Sequence, residues 1–331
     1  MDLTILWAGI IAFAVFAYVV MDGFDLGIGV LFPTFKVGPE RDQAMNSIAP
    51  VWDGNETWLV LGGGGLFAAF PLAYAVLLPA TYPLVIAMLL GLVFRGVAFE
   101  FRWRDPAHRP FWDAAFTGGS LVAAMSQGMI LGAMLQGIEV ADRAYAGSWF
   151  DWLTPYTLLT GLGTTAGYAL LGSTWLIWKL EGPAQDHAYK LAFKAMLATG
   201  ALMAAVSFYN LGLRPEYAER WLTTPEILFT WPIPIATAIA GLFLWRALAK
   251  RREVAPFLLS LLLFLLGMAG LGLTMYPDVV PPDMTIWDAA APERSQIFML
   301  VGVGLTMPLI IGYTAWAYWV FRGKVGADGY H

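Results

Sequence analysis

Long apolar runs alternate with short polar loops along the whole chain. A membrane-spanning helix needs about 20 predominantly apolar residues, and the chain contains nine segments of this kind. The pattern therefore predicts an all-α polytopic membrane protein with nine transmembrane helices, at about Leu3–Phe32, Pro50–Pro71, Pro79–Phe99, Ala114–Leu135, Tyr156–Trp178, Leu191–Leu211, Ile227–Leu244, Pro256–Met275 and Gln296–Phe321.

The connections between these segments are short. The second and third segments are joined by a proline-studded stretch from Phe70 to Pro83, which the pattern does not divide further because proline can kink a membrane helix as well as end it. No loop exceeds about 20 residues. We therefore expect a single membrane domain over residues 1–331, with any chemistry in the membrane or in a partner.

The basic residues indicate the orientation. The loops on one side hold fourteen Lys and Arg, and those on the other side hold four, while Arg95 falls within a predicted helix. Because cytoplasmic loops carry the excess of Lys and Arg, we expect the N-terminus outside and the C-terminus in the cytoplasm. An arrangement of eight helices would scramble this alternation.

Composition agrees with a membrane protein and limits its chemistry. The chain is 59% hydrophobic and 13% charged, whereas soluble domains carry about 25% charged residues. It has no Cys, which excludes disulfides and thiolate metal sites. Its three histidines, His108, His187 and His331, all fall outside the predicted helices. We therefore expect no haem with His ligation to be buried in this chain.

The first apolar run begins without a basic segment or a small-residue cleavage site. It also continues through Asp22 and Asp25, and we interpret it as a retained helix and not as a signal peptide. These two acids lie three residues apart, hence on one helix face. In the same run, Gly23 and Gly27 form a pair of small residues that predicts the close approach of another helix.

Charged residues inside the membrane are concentrated in the first three predicted helices. The topology brings six of them to similar depth in the cytoplasmic half: Asp22, Asp25, Asp53, Glu56, Arg95 and Glu100. Intramembrane acids are costly and mark functional sites by default. The pattern leaves two interpretations open, a water-lined proton route and a charge-paired structural cluster.

Three strings in this part of the chain, MDGFDLGIG, SIAPVWDGNETWLVLGGGGLFAAFP and FRGVAFEFR, closely resemble subunit II of the cytochrome bd-type quinol oxidases. The match is dense over the first 105 residues, and beyond about residue 110 it is mainly one of helix number and length. The resemblance implies two four-helix bundles, at about 1–137 and 155–276, plus one peripheral helix at 296–321.

The resemblance also implies a function. Such oxidases oxidise membrane quinol and reduce oxygen to water, and they are electrogenic without pumping protons. Two b-type haems and one d-type haem are expected in the obligate partner, subunit I. Subunit II is a haem-free chain that supports haem assembly, contributes to a path for cytoplasmic protons and holds a quinone in some members. The family includes a cyanide-insensitive branch, and a small accessory subunit is a further expected partner.

Carried over by motif, Asp25, Asp53 and Arg95 are expected near the subunit interface as proton-path or haem-supporting groups. Asp53 is the best single candidate for the residue at which protons enter, and Asp22, Glu56 and Glu100 are further members of the site. The expected location is the bacterial cytoplasmic (inner) membrane.

Two other function classes compete with this interpretation. A proton-coupled secondary transporter also uses intramembrane acids and broken helices, but transporters usually carry polar residues in both halves, and here they fall in one. An inert membrane scaffold would not need Asp25 and Asp53 at one depth.

Overall fold

The described residues are helical apart from two short hairpins and the connecting loops. The structure is a computed structural model that describes residues 2–326, so that His331 lies outside the described residues. Within this range there are thirteen α-helices: α1 Leu3–Leu31, α2 Pro39–Asn46, α3 Trp52–Ala69, α4 Pro71–Arg104, α5 Arg109–Gln136, α6 Pro155–Lys179, α7 Gly182–Leu211, α8 Pro215–Leu222, α9 Ile227–Thr230, α10 Pro232–Ala249, α11 Ala255–Met275, α12 Ile286–Ala289 and α13 Glu293–Val320.

The two hairpins lie in the loops that the basic-residue bias assigns to the outside. They are antiparallel and two-stranded, with β1 Val140–Ala141 paired to β2 Ala144–Tyr145, and β3 Asp278–Val280 paired to β4 Met284–Thr285.

Seven of the helices in the described range are long and apolar enough to cross a membrane. They are α1, α4, α5, α7, α10, α11 and α13, and the protein is therefore a multi-pass membrane protein. The other two long helices are more polar for identifiable reasons. Helix α3 begins with Asp53, Asn55 and Glu56. Helix α6 is largely buried against α1, α5, α7 and α11, and its buried residues include Thr160 and Thr174. A crossing by each of the nine long helices remains a prediction.

The break between α3 and α4 is a single residue, Phe70. Helix α4 starts at Pro71 and continues through Pro79 and Pro83 to Arg104. The proline-studded stretch is thus helix and not loop. Proline fits the first helical turn at Pro71, and membrane helices tolerate internal prolines because neighbouring groups satisfy the freed carbonyls.

Helix α1 is central, and it packs against α3, α5 and α6. Its crossing with α6 is close because glycine lies on both sides: a Cβ on Gly172 would stand 2.6 Å from the carbonyl carbon of Gly27. The close approach predicted at Gly23 and Gly27 is confirmed, since a Cβ on either would meet Tyr168 of α6.

The other helices pack on neighbours both within and between the expected bundles. Helix α4 packs chiefly on α5, α6 on α7, and α10 on α11, whereas α13 contacts α1 and α3 and buries only Gln296. The division into two four-helix bundles and a peripheral helix remains our proposal.

Candidate functional site

The guanidinium of Arg95 on α4 is the centre of a buried charge cluster. Its Nη1 lies 2.7 Å from Asp22 Oδ1, and its Nη2 lies 3.5 Å from Asp25 Oδ2. Arg95 and both aspartates are 0% exposed. The acids stand one turn apart on the face of α1 that the i, i+3 spacing predicts. The structure thus brings these three predicted site residues together.

Glu56 on α3 completes the charged group and connects it to the surface. Its Oε2 lies 3.9 Å from Arg95 Nη1, and its side chain is 30% exposed. Three carboxyl groups therefore share one guanidinium. Because an uncompensated carboxylate inside a membrane costs several kcal/mol, the excess carboxyl groups give the cluster a place to hold an exchangeable proton.

Asn55 links Asp25 to α13. Its Nδ2 donates to Asp25 Oδ2 at 2.8 Å, and its Oδ1 accepts from the hydroxyl of Tyr318 on α13 at 2.8 Å. Asn55 lies within a motif that the sequence singles out, but the motif alone does not indicate this role. No pattern in the sequence connects Tyr318 with this site.

A second hydrogen-bonded group lies one turn along α1 from Asp22. Gln127 of α5 donates through Nε2 to the Tyr18 hydroxyl at 2.7 Å and accepts from the Tyr168 hydroxyl at 2.6 Å. This amide joins α1, α5 and α6. It holds the helix that carries both aspartates against its two neighbours.

Two of the six predicted residues do not join the cluster. Asp53 is exposed at the start of α3, and Glu100 pairs instead with Arg104 at 3.2 Å, where both side chains are exposed. The reason is helical phase. On α3 the buried face follows Asn55, Trp58 and Gly62, at spacings of three and four residues, and Asp53 lies outside this stripe.

A separate charge cluster ties α2, in the connection between α1 and α3, to α4 and α5. Arg102 is buried and bonds Asp113 at 2.5 Å and Asp42 at 2.7 Å, while Arg41 reaches Asp113 at 2.7 Å. These contacts fasten α2, which precedes α3, to the membrane helices. From the sequence, Arg41 and Arg102 count only as loop charges, because one sequence gives no pairing between helix ends.

The comparisons with known proteins identify the family. The family model for subunit II of the cytochrome bd terminal oxidase matches residues 3–321. The chain belongs to this family. The resemblance seen in the first 105 residues is therefore confirmed, and the match reaches far beyond the three strings that carried it.

Relatives of the subunit II family match over nearly their whole length. Cytochrome bd-I ubiquinol oxidase subunit 2 of Escherichia coli (strain K12) is 28% identical over 368 residues, covering 98% of this chain and 95% of that protein. Cytochrome bd ubiquinol oxidase subunit 2 of Bacillus subtilis (strain 168) is 29% identical over 341 residues, covering 97% and 96%. The bd oxidase structure from Geobacillus thermodenitrificans matches with a TM-score of 0.79 at 17% identity, covering 97% of this chain and 99% of that one, and supports the fold.

The two histidines of this subunit II chain that the structure describes lie outside the buried charge cluster. His108 follows α4 in a short 3-10 turn and contacts Asp105, and His187 near the start of α7 contacts Thr34. Across residues 2–326, no three His, Cys, Asp or Glu side chains form a group that could hold a metal ion.

Proposed function

We propose that this chain is the haem-free subunit II of a bd-type quinol:O2 oxidoreductase in the bacterial cytoplasmic membrane. Its obligate partner, subunit I, carries two b-type haems and one d-type haem, oxidises quinol and reduces O2 to water. The complex is electrogenic without proton pumping, because the protons for water come from the cytoplasm. Family membership supports this proposal and disfavours the proton-coupled transporter.

The role proposed for this chain is to support haem assembly and to deliver cytoplasmic protons towards subunit I. The observation that carries it is the buried group of Asp22, Asp25 and Arg95 with Glu56 at its edge. It combines one fixed cation with more carboxyl groups than that cation can neutralise. A proton can therefore be taken up and released there without leaving the cluster strongly charged.

Glu56 and Asp53 provide the route that the proposal needs on α3. Asp53 is exposed in the first turn of the helix, at the end predicted to be cytoplasmic, and Glu56 lies one turn further on, half-buried beside Arg95. In the proposed sequence a proton binds at Asp53, passes to Glu56 and reaches Asp22 or Asp25. Glu100, exposed and paired with Arg104, is left as a surface residue.

The test compares Asp25→Asn and Asp53→Asn in the complex purified with subunit I, with Glu100→Gln as the control. Proton uptake during a single turnover with O2 is measured together with haem content and steady-state oxygen consumption. Both Asn variants should keep their haems and take up protons at least about tenfold more slowly, since a positioned acid–base group contributes this much or more. Glu100→Gln should behave as the wild type.

Each outcome has a defined consequence. An Asp53→Asn enzyme with full haem content and normal rates refutes the role of Asp53 as the residue at which protons enter. Normal rates in both Asn variants refute proton delivery by the cluster. Loss of haem in Asp25→Asn would instead support the assembly role.

Quinone binding by this chain is also a proposal. An apolar groove of about 290 Å³ lies between α1, α3 and α13, lined by Ile11, Gly65 and Val303, with Thr306 as its polar side chain. This lining fits the apolar tail of a quinone better than its head group. Quinone extracted from the purified complex, and lost in Gly65→Leu, would support it.

A further inference from the structure

The two buried aspartates of the cluster are held in different ways. Arg95 Nη1 donates a hydrogen bond to Asp22 Oδ1 at 2.7 Å. The other terminal nitrogen of the guanidinium, Nη2, lies 3.5 Å from Asp25 Oδ2 and has no hydrogen-bond partner among the described residues. A short hydrogen bond between a guanidinium and a carboxylate is among the strong ones. Arg95 therefore holds the charge of Asp22 more firmly than that of Asp25.

Asp25 obtains its hydrogen bond from an uncharged side chain. Asn55 Nδ2 donates to Asp25 Oδ2 at 2.8 Å, whereas Asp25 Oδ1 has no hydrogen-bond partner among the described residues. Asp25 is 0% exposed and Asn55 is 1% exposed, so that bulk water does not compete for the bond between them. One oxygen of Asp25 is thus occupied by a donor, and the other is the oxygen at which a proton can bind.

The direction of the Asn55 amide is set by α13. Tyr318 donates its hydroxyl hydrogen to Asn55 Oδ1 at 2.8 Å. A side-chain amide has an acceptor at one end and a donor at the other. Because Tyr318 occupies the acceptor end, the NH2 end faces Asp25. A proton on Asp25 Oδ2 would oppose this NH2 group, so that a neutral Asp25 carries its proton on Oδ1.

Other titratable groups act on Asp25 through charge and do not replace the amide. Those that face it within the described residues are Asp22 on its own helix, Arg95 on α4, Glu56 on α3 and Tyr318 on α13. Tyr168 of α6 faces Asp22 instead and bonds Gln127 of α5. Among the described side chains, only Asn55 donates a hydrogen bond to the Asp25 carboxyl.

We infer that Asn55 and Tyr318 are positioning residues for Asp25, which confine its exchangeable proton to Oδ1 and keep its ionised form accessible between proton transfers. Asp22 then remains the constant partner of Arg95. The inference rests on the proposed proton delivery by the cluster and deepens it, because it assigns to Asp25 the exchange that the proposal leaves to either aspartate. Helix α13 thereby acts on the site without carrying protons itself.

The experiment uses the complex with subunit I and four variants. Asn55→Leu removes the donor with little change of side-chain size, and Tyr318→Phe removes the hydroxyl and leaves the ring. Tyr313→Phe is one control, because Tyr313 lies on the same helix and is 64% exposed. Trp7→Phe is the other, because it removes the hydrogen bond from Trp7 Nε1 to the carbonyl of Gln296 and so loosens α13 far from the amide.

The measurements are haem content and the pH profile of the proton-coupled step in a single turnover with O2. In the wild type this step should slow at alkaline pH, where the cluster loses its proton. Without the donor the ionised form of Asp25 is disfavoured, so that the cluster stays loaded to a higher pH and releases its proton more slowly.

Asn55→Leu should therefore lower the maximal rate by up to about tenfold and move the alkaline fall of the rate about one pH unit higher, the effect of one hydrogen bond to a charged group. Tyr318→Phe should move the alkaline fall in the same direction by less, because the amide remains and is only free to turn. Tyr313→Phe and Trp7→Phe should leave it where the wild type has it.

A purely structural role gives a different result. Haem content or rate then falls equally at every pH, and the alkaline fall stays in place; that result in Asn55→Leu overturns the inference. An equal displacement of the alkaline fall in Trp7→Phe and Tyr318→Phe refutes the role of the Tyr318 hydroxyl, since loose docking of α13 would then suffice. Should Tyr318→Phe fail to assemble, Asn55→Leu decides.

Asp25→Asn separates this inference from the proposed function. If Asp25→Asn is slow while Asn55→Leu and Tyr318→Phe keep the wild-type pH profile, positioning is refuted and delivery by the cluster stands. If Asp25→Asn and Asp53→Asn both have normal rates, delivery by the cluster fails and the inference falls with it. Positioning through Asp25 also requires that Tyr318→Phe adds nothing to Asp25→Asn, and a further change in the double variant contradicts it.

Discussion

Replacing Arg95 by leucine tests whether the cluster is a stabilising element as well as a proton site. The substitution leaves Asp22 and Asp25 buried without their cation. At an effective dielectric constant of about 20, unit charges at the observed 2.7 and 3.5 Å attract by about 6 and about 5 kcal/mol. Desolvation opposes this attraction, and breaking one partner of a buried pair costs about 3–5 kcal/mol.

The assay is the thermal melting of the purified complex, followed by its haem absorbance, together with the ratio of haem to protein. Arg95→Leu should melt several degrees below the wild type. The matched control is Arg104→Leu on the same helix, whose pair with Glu100 is exposed. Surface ion pairs contribute about 0–1 kcal/mol, so that this control should melt near the wild type.

A combined variant distinguishes unpaired charge from lost packing. Arg95→Leu together with Asp22→Asn and Asp25→Asn removes the cation and the two fully buried carboxyl groups that face it, and leaves the partly exposed Glu56. Replacing a whole buried ion pair by uncharged side chains often changes stability little. This variant should therefore recover at least about half of the fall in melting temperature caused by Arg95→Leu. Wild-type melting of Arg95→Leu, or a triple variant no more stable than the single one, refutes the reasoning.

Two further predictions concern the helix crossing and the outer loop. Gly27→Leu should lower the melting temperature and the haem content, because a Cβ at Gly27 would overlap the backbone of α6 and overpacking costs about 1–3 kcal/mol. The control Gly63→Ala should leave both unchanged, since no atom lies within 4 Å of the added Cβ. Equal behaviour of the two variants contradicts the prediction. In the loop between α5 and α6, which is predicted to lie outside, the Ser148 hydroxyl and amide hold the pKa of Asp151 below its ordinary 3.8. The stabilisation is therefore complete above that ordinary value and is lost as the pH falls through the lower folded value. Ser148→Ala should reduce the hydrogen-exchange protection of the loop at about pH 6 but not at about pH 2, and an equal reduction at both would refute this.

The sequence predicts one depth for the acids and Arg95, and the structure pairs Arg95 with Asp22 and Asp25. Apolar length fixes where a residue stands along a membrane helix, and the basic loops fix the direction of each helix. Asp22, Asp25 and Arg95 therefore had to meet at one level once their helices were adjacent. These two rules carry no information on which face of a helix points inward.

The exposed position of Asp53 shows this limit. The spacing of three residues places Asp53 and Glu56 near one another, and the structure agrees that they are neighbours along α3. Which of them reaches Arg95 depends on the stripe through Asn55 and Trp58 that packs on α1. In a membrane protein, lipid-facing and protein-facing surfaces are both apolar, so that sequence hydrophobicity does not reveal that stripe.

The position of α13 could not be predicted for a related reason, and it explains why this helix matters to the site. It buries little surface, and polar contacts hold it at both ends. At one end Trp7 donates to the carbonyl of Gln296 at 3.2 Å, and at the other Tyr318 donates to Asn55 at 2.8 Å. Hydrogen bonds between membrane helices contribute about 0.6 kcal/mol each on average, so α13 is held less firmly than the helices packed through glycine. The Tyr318–Asn55 bond therefore couples the docking of the last helix to the orientation of the amide on Asp25. A displacement of α13 would therefore release that amide.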